Sequence, residues 1–175
     1  MRTIETPPRS LMQVYRSLPE GTLAELIDNN LIMSPAPQFI HQQIQKKITR
    51  ALDQWVEDQG LGFVVPAPFD VFLDNTGNAV QPDITVILKG NPGKLDQSFF
   101  GTPDLIVEVL SPGNSHYDLV KKRDLYEKFG VKEYWVVDPV TKDVTGFFLQ
   151  VARFIQLPSD QGKIESRLLG CQLVF

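Results

Sequence analysis

Between residues 38 and 60 apolar side chains return every three or four positions, at Ile40, Ile44, Ile48, Ala51, Leu52, Trp55 and Val56. That period marks one face of a helix, and Gly60 and Gly62 mark its end. Lys46, Lys47 and Arg50 lie mostly off the stripe, on the side a helix gives to solvent. Upstream, "TLAELIDNNLIMSP" has two short apolar runs around Asp28-Asn29-Asn30. Those residues tolerate turn geometry, so a hairpin stopped by Pro35 and Pro37 is predicted. "SLMQVYRSL" reads as a short helix ended by "PEG". Residues 1–9 read as a loose leader, in which Pro7 and Pro8 discourage regular structure.

After Gly62 the pattern changes to short apolar runs. "GFVVPAPFDVFL" holds one or two strands, "AVQPDITVILKG" another and "PDLIVEVLSP" a third. "NSHYDLVKKRDLYEKFG" is a predicted helix with Gly130 as its C-cap, and it leads into a strand at "VKEYWVVDP". Strand, helix, strand over residues 104–138 predicts a crossover between neighbouring parallel strands. Residues 144–155 read as an outer strand, Gly162 and Lys163 as a loop, and "SRLLGCQLVF" as an apolar tail docked on the body. The fold class is α/β, with a mixed α+β sheet, flanking helices and an N-terminal hairpin. Residues 1–17 form a leader and short helix, and residues 18–175 a single domain.

A hydrophobic fraction of 42% in 175 residues suits one core. The net charge of −4 leaves no general basic surface, so any contact with phosphates would be local. The single cysteine, Cys171, excludes an internal disulfide and a multi-cysteine zinc site. No run approaches the roughly 18 apolar residues of a membrane span, and "MRTIETPPRS" is not followed by a secretory apolar run. A cytoplasmic protein without a membrane partner is the expectation. No glycine-rich loop follows a first strand, so a dinucleotide or P-loop site has no local support.

Chemistry enters at Glu108, a carboxylate inside the apolar run "LIVEVL". On an alternating strand it shares a face with Ile106 and Leu110, and burial obliges it to find a cation, a proton or a donor. Asp83 opens another strand just after Pro82. Successive strands are neighbours in about two-thirds of cases. If these two adjoin, the carboxylates converge, and with a backbone carbonyl they suit a hard divalent cation such as Mg²⁺ or Mn²⁺. Asp118, Lys122 and Tyr126 share a helix face at i, i+4 and i+8. A lysine near such a pair would orient water or stabilise charge on a phosphate. Plainer readings stand beside these. Glu108 can be a satisfied structural carboxylate and Lys122 part of a solvated face. His41 can be structural rather than a general base, and Glu25 can lie at the surface rather than in the same cleft.

Taken together, "ELIDNNLIMSP", "HQQI", "FDVFLD", "VQPDITVI", "GTPDLIVEVLSPGN", "DLVKKRDLYEKFGVKEYWVVDP" and the terminal "LVF" resemble the Uma2 family from about residue 18 to residue 175. That family is similar in fold to the restriction-endonuclease-like PD-(D/E)XK nucleases, which implies a restriction-endonuclease-like core. Pro82-Asp83 matches the first acid of that pattern, Glu108 the second and Val109 the intervening position. The usual lysine position holds Leu110, and the resemblance implies that Lys122 on the following helix replaces it. "IDNN" and "SPGN" are further local departures. The resemblance also implies that Glu25 and His41 line the cleft. The implied function is metal-dependent hydrolysis of phosphodiester bonds in nucleic acid, with DNA the expected substrate. Asp83, Glu108 and the Val109 carbonyl would hold Mg²⁺ or Mn²⁺. Lys122 would orient water or stabilise the transition state. The rival is a non-catalytic nucleic-acid- or protein-interaction domain that retains the fold, motivated by the acidic total and the lack of room for a target-recognition domain. A homodimer is a reasonable expectation for a small nuclease facing two strands. "VTGFFLQVARFIQL" and "LVF" could supply its contacts or equally complete the monomer core.

Overall fold

The computed structural model describes residues 9–111 and 117–175, and of residues 117–119 the backbone alone. The chain opens with α1 (Leu11–Ser17), the hairpin β1 (Ala24–Ile27) and β2 (Asn30–Met33), and the long helix α2 (Phe39–Val56). Strands β3 (Gly62–Pro66), β4 (Val71–Phe72), β5 (Ala79–Val80), β6 (Ile84–Leu88), β7 (Lys94–Leu95), β8 (Phe99–Phe100) and β9 (Leu105–Val109) follow. A π-helical stretch, Tyr117–Lys122, runs into α3 (Arg123–Phe129). The chain then forms β10 (Glu133–Val137), β11 (Asp143–Gln150), β12 (Arg153–Gln156), β13 (Asp160–Gln161), β14 (Lys163–Ser166) and β15 (Cys171–Val174).

The main sheet has the order β12-β11-β10-β9-β6-β3, and a smaller sheet has the order β2-β1-β5-β4-β8-β7. β9 and β10 pair in parallel, as the predicted crossover requires, while β6 runs antiparallel to β9. One face of the main sheet carries α2. Ile44, Ile48, Leu52 and Val56 pack there against Ile84, Val86, Leu105, Val107 and Val109. Each such side chain gains about 1.5–3 kcal/mol on full burial. The other face gathers Ile87, Ile106 and Val136 with Leu125 and Tyr126 of α3. A buried carboxylate on β9 therefore has to point into one of two apolar layers, and Glu108 takes the α3 side with Ile106.

The α2 stripe differs from the expected one. Ile40 is 41% exposed and Trp55 39%, whereas His41 and Gln45 are buried. The first two turns of α2 lie over the start of β6, and polar side chains face inward there because Asp83 is polar. The run read as one strand across Pro82 is two short strands in different sheets, β5 and β6. The ring of Pro82 removes an amide from any continuous ladder. Residues 144–155 are likewise two strands, joined at Val151 and Ala152 with φ of 50° and 62°. A β-branched residue seldom adopts that conformation, so the sequence carries no turn signal there. The predicted hairpin is present, with Asp28 and Asn29 at φ 45° and 62° between the paired Ile27 and Asn30. Lys163 opens β14 rather than lying in a loop.

The helix expected over residues 114–130 is described from Tyr117 and ends at Gly130, whose φ of 82° makes the anticipated C-cap. Residues 114–116, the side chain of Asp118, and residues 1–8 of the expected leader fall outside the described part. Phe147, Leu157 and Leu173, from the segments considered for a dimer contact, are buried in the monomer.

Candidate active site

The ladder between β6 and β9 pairs Ile84 with Val107, so one step further Asp83 stands opposite Glu108. Beyond this step the backbone pairing stops. The Val109 N–H, the next amide on β9, donates instead to Asp83 Oδ2 at 2.7 Å. The same oxygen meets His41 Nε2 at 3.1 Å. Gln45, one turn along α2, donates to the Asp83 backbone carbonyl at 2.7 Å. Asp83 is thus held by its own side chain and main chain, from β9 on one side and α2 on the other.

Glu108 Oε1 accepts from Lys122 Nζ at 2.8 Å and from the Tyr126 hydroxyl at 2.7 Å. Lys122 is the last residue of the π-helical stretch, and Tyr126 lies four residues on, in α3. Residues four apart face the same way, so both reach one carboxylate. Lys122 also stands 3.0 Å from Glu25 Oε1, and all three side chains are buried. Glu25 comes from β1, and the backbone N–H of Gln81 donates to it at 3.0 Å. Burial, together with the negative charge of Glu108, pushes the Tyr126 hydroxyl well above its ordinary pKa, although Lys122 acts in the opposite sense. Tyr126 therefore serves Glu108 as a donor.

Glu25, His41, Asp83, Glu108, Val109 and Lys122, all named from the sequence, lie in this one interlocked region. Gln45, Gln81 and the contact of Tyr126 were not anticipated. Gln45 had a signal, since it lies one turn beyond His41 on the buried face. Gln81 had only its place next to Pro82-Asp83.

The oxygen-rich donor set has the chemistry for a hard divalent cation. As found, one oxygen of each acid, Asp83 Oδ2 and Glu108 Oε1, is engaged by groups of the protein. Among the described residues no group of three or more His, Cys, Asp or Glu could hold a metal ion. Asp83 is turned onto an amide and an imidazole, and Glu108 onto an ammonium and a phenol.

The family model described as "Uma2: Putative restriction endonuclease" matches residues 12–173, and the chain belongs to that family. In structure it is similar to a protein from Anabaena variabilis described as "a putative nuclease belonging to DUF820". The two share 20% sequence identity and a TM-score of 0.74, over 93% of this chain and 92% of that one. At that identity the likeness establishes the fold, a restriction-endonuclease-like arrangement of mixed sheet and flanking helices. No curated protein matches the chain. Among the described residues no helix is long and apolar enough to cross a membrane.

Proposed function

We propose that this chain binds nucleic acid on a nuclease-type scaffold and that its acid–lysine centre, in the conformation described, is latched rather than set for hydrolysis. One observation carries the reading: the Lys122 ammonium is shared by Glu25 and Glu108, at 3.0 and 2.8 Å, with all three side chains buried. A charge so compensated is not offered to a phosphate. Family membership and the shared fold support nucleic acid as the partner. The net charge of −4 limits the contact to a small region. Lys46, Lys47 and Arg50, exposed on the helix that carries His41, supply local positive charge. The test is fluorescence anisotropy with short single- and double-stranded DNA and RNA in EDTA, beside a cleavage assay in Mg²⁺ or Mn²⁺. Binding without cleavage is the expected result. No binding to any of these at low salt overturns the reading.

A second reading, metal-dependent phosphodiester hydrolysis, is favoured by the count of formal charges. Glu25 and Glu108 share the ammonium of Lys122, and Asp83, opposite Glu108, is held by an imidazole and an amide; a gathering of carboxylates of this kind is what a divalent cation relieves. Asp83, Glu108 and the Val109 carbonyl would hold Mg²⁺ or Mn²⁺, once the two acids leave their present partners. DNA cleavage by the wild type that is abolished in Asp83→Ala and Glu108→Ala supports this reading. Cleavage that survives both substitutions removes it.

A further inference from the structure

A separate concavity, open to solvent on one side, lies between α1, residues 17–22, residues 68–72 and β8, with a volume of about 1340 Å³. That is larger than the roughly 300–1,000 Å³ of an ordinary small-molecule site. One part of its lining is a stack of planar groups. The rings of Phe72 and Phe100 lie 4.9 Å apart and 9° from parallel, and the Arg16 guanidinium lies 5.1 Å over the Phe72 ring. Phe72 is buried, but Phe100 is 38% exposed, so the stack ends in an accessible aromatic ring.

The polar part of the lining centres on Asp70. Its Oδ1 accepts from the Tyr15 hydroxyl at 2.7 Å and from Gln81 Nε2 at 2.9 Å. Its Oδ2 has no donor among the described residues. The phenol of Tyr15 is pushed up in pKa, first by burial and then by Asp70, so it remains a donor and leaves Asp70 as the acceptor. Asp70 is half-buried, so an acceptor oxygen open to the space shares one cavity with an accessible aromatic ring, a pairing that suits a flat ring carrying N–H groups. Asp70 and Glu20 line the space with Arg16, two carboxylates beside one guanidinium that is stacked on Phe72, a balance that disfavours a phosphate inside it. A nucleobase with an exocyclic amine meets all three conditions.

The concavity is joined to the acid–lysine centre through one residue. The Gln81 side chain holds Asp70 while its backbone N–H holds Glu25. Asp83 follows two residues later, within about 7 Å along an extended chain. We infer that the concavity receives an unpaired, amine-bearing nucleobase, stacked on Phe100 and hydrogen-bonded to Asp70, from a strand whose backbone passes the acid–lysine centre. This rests on the nucleic-acid reading above.

The test uses the full chain in EDTA. Anisotropy compares a single-stranded oligonucleotide rich in cytosine and adenine with one that is abasic throughout, and NMR follows the Gln81 side-chain amide as free cytidine and adenosine monophosphates are added. The expected result is strong preference for the oligonucleotide with bases, weakened roughly five- to 150-fold by Phe100→Ala, in keeping with the loss of one stacked base. Phe100→Leu, which keeps an apolar cover, should weaken binding nearly as much while leaving Tm close to wild type. Equal binding of abasic and normal strands, or full affinity in both Phe100 variants, overturns the base site and leaves the nucleic-acid reading intact. If no strand binds but a free nucleotide shifts Gln81, the base site stands and the strand reading falls. If neither occurs, both fall.

Discussion

The ammonium of Lys122 lies 2.8 Å from Glu108 Oε1, across fourteen residues of sequence, and both groups are buried. Breaking such a pair from one side leaves a buried charge without its partner, at a cost of about 3–5 kcal/mol. Lys122→Met should therefore destabilise the protein by about that amount, since Glu25 and Glu108 are left facing the same vacated space. Urea unfolding of the wild type, Lys122→Met, Glu108→Gln and the double variant checks this. The double variant should be less unstable than the two single losses added together.

Tyr126 provides a pH-dependent counterpart. Burial and then the Glu108 charge raise its folded pKa above that of the unfolded chain, and the same direction holds for Tyr15 through burial and Asp70. A raised pKa gives stability that is complete below the unfolded value, about 10 for tyrosine, and is lost as pH rises beyond it. Stability should fall above pH 10, with tyrosinate absorbance from these residues appearing only on unfolding. Tyr126→Phe should be less stable at neutral pH by about 1.5–3 kcal/mol, the value of a hydrogen bond to a charged group. It should also lose less between pH 10 and 12.

At the acid end one sensitive group is Asp74. Burial pushes its carboxyl up, but the amide of Gly77, the side chain of Asn78 and the amides of Thr76 and Asn78 outweigh it and bring the pKa down to about 2. The Asn78 side chain in turn accepts from the Asp28 N–H at 2.9 Å, and the Asn29 N–H donates to the Gly77 carbonyl at 3.1 Å. This turn thus ties the hairpin bearing Glu25 to the segment leading to Asp83. A lowered pKa gives stability that is present above the unfolded value and lost as pH falls through the folded one. The wild type should lose about 1 kcal/mol between pH 4 and 2, after allowance for solvent screening. Acid titration of stability in Asp74→Asn should lack that component.

Gly146 pairs with Trp135 across β11 and β10, and a Cβ at Gly146 would overlap the indole ring. Both partners are fixed by the sheet, so Gly146→Ala should cost at least the 1–3 kcal/mol typical of overpacking. A drop in Tm with little change in DNA binding is the expected outcome.

Much of this centre was legible because strand alternation and burial are local rules. A carboxylate amid "LIVEVL" had to find a partner, and an acid just after Pro82 had to sit near a strand end. The face shared by Lys122 and Tyr126 could be read from their spacing alone. The inward turn of His41 and Gln45 could not, because it depends on what α2 covers rather than on its own pattern of apolar residues. The turn at Val151 and Ala152 gave no signal because those residues disfavour the conformation that tertiary packing imposes. The cavity beside Phe100 brings together residues from position 15 to position 100, a distance no local pattern spans.

Leu110 stands where a lysine two places after the acid would have been carried by the same strand as Glu108. A cation so placed would keep its separation from the acid by covalent geometry. Lys122 keeps its separation by how the following helix seats on the sheet, through Leu125 and Tyr126 against Ile106 and Tyr134. Apolar substitutions beneath that helix would consequently register as changes in electrostatics, through small displacements of a charge that no strand tethers.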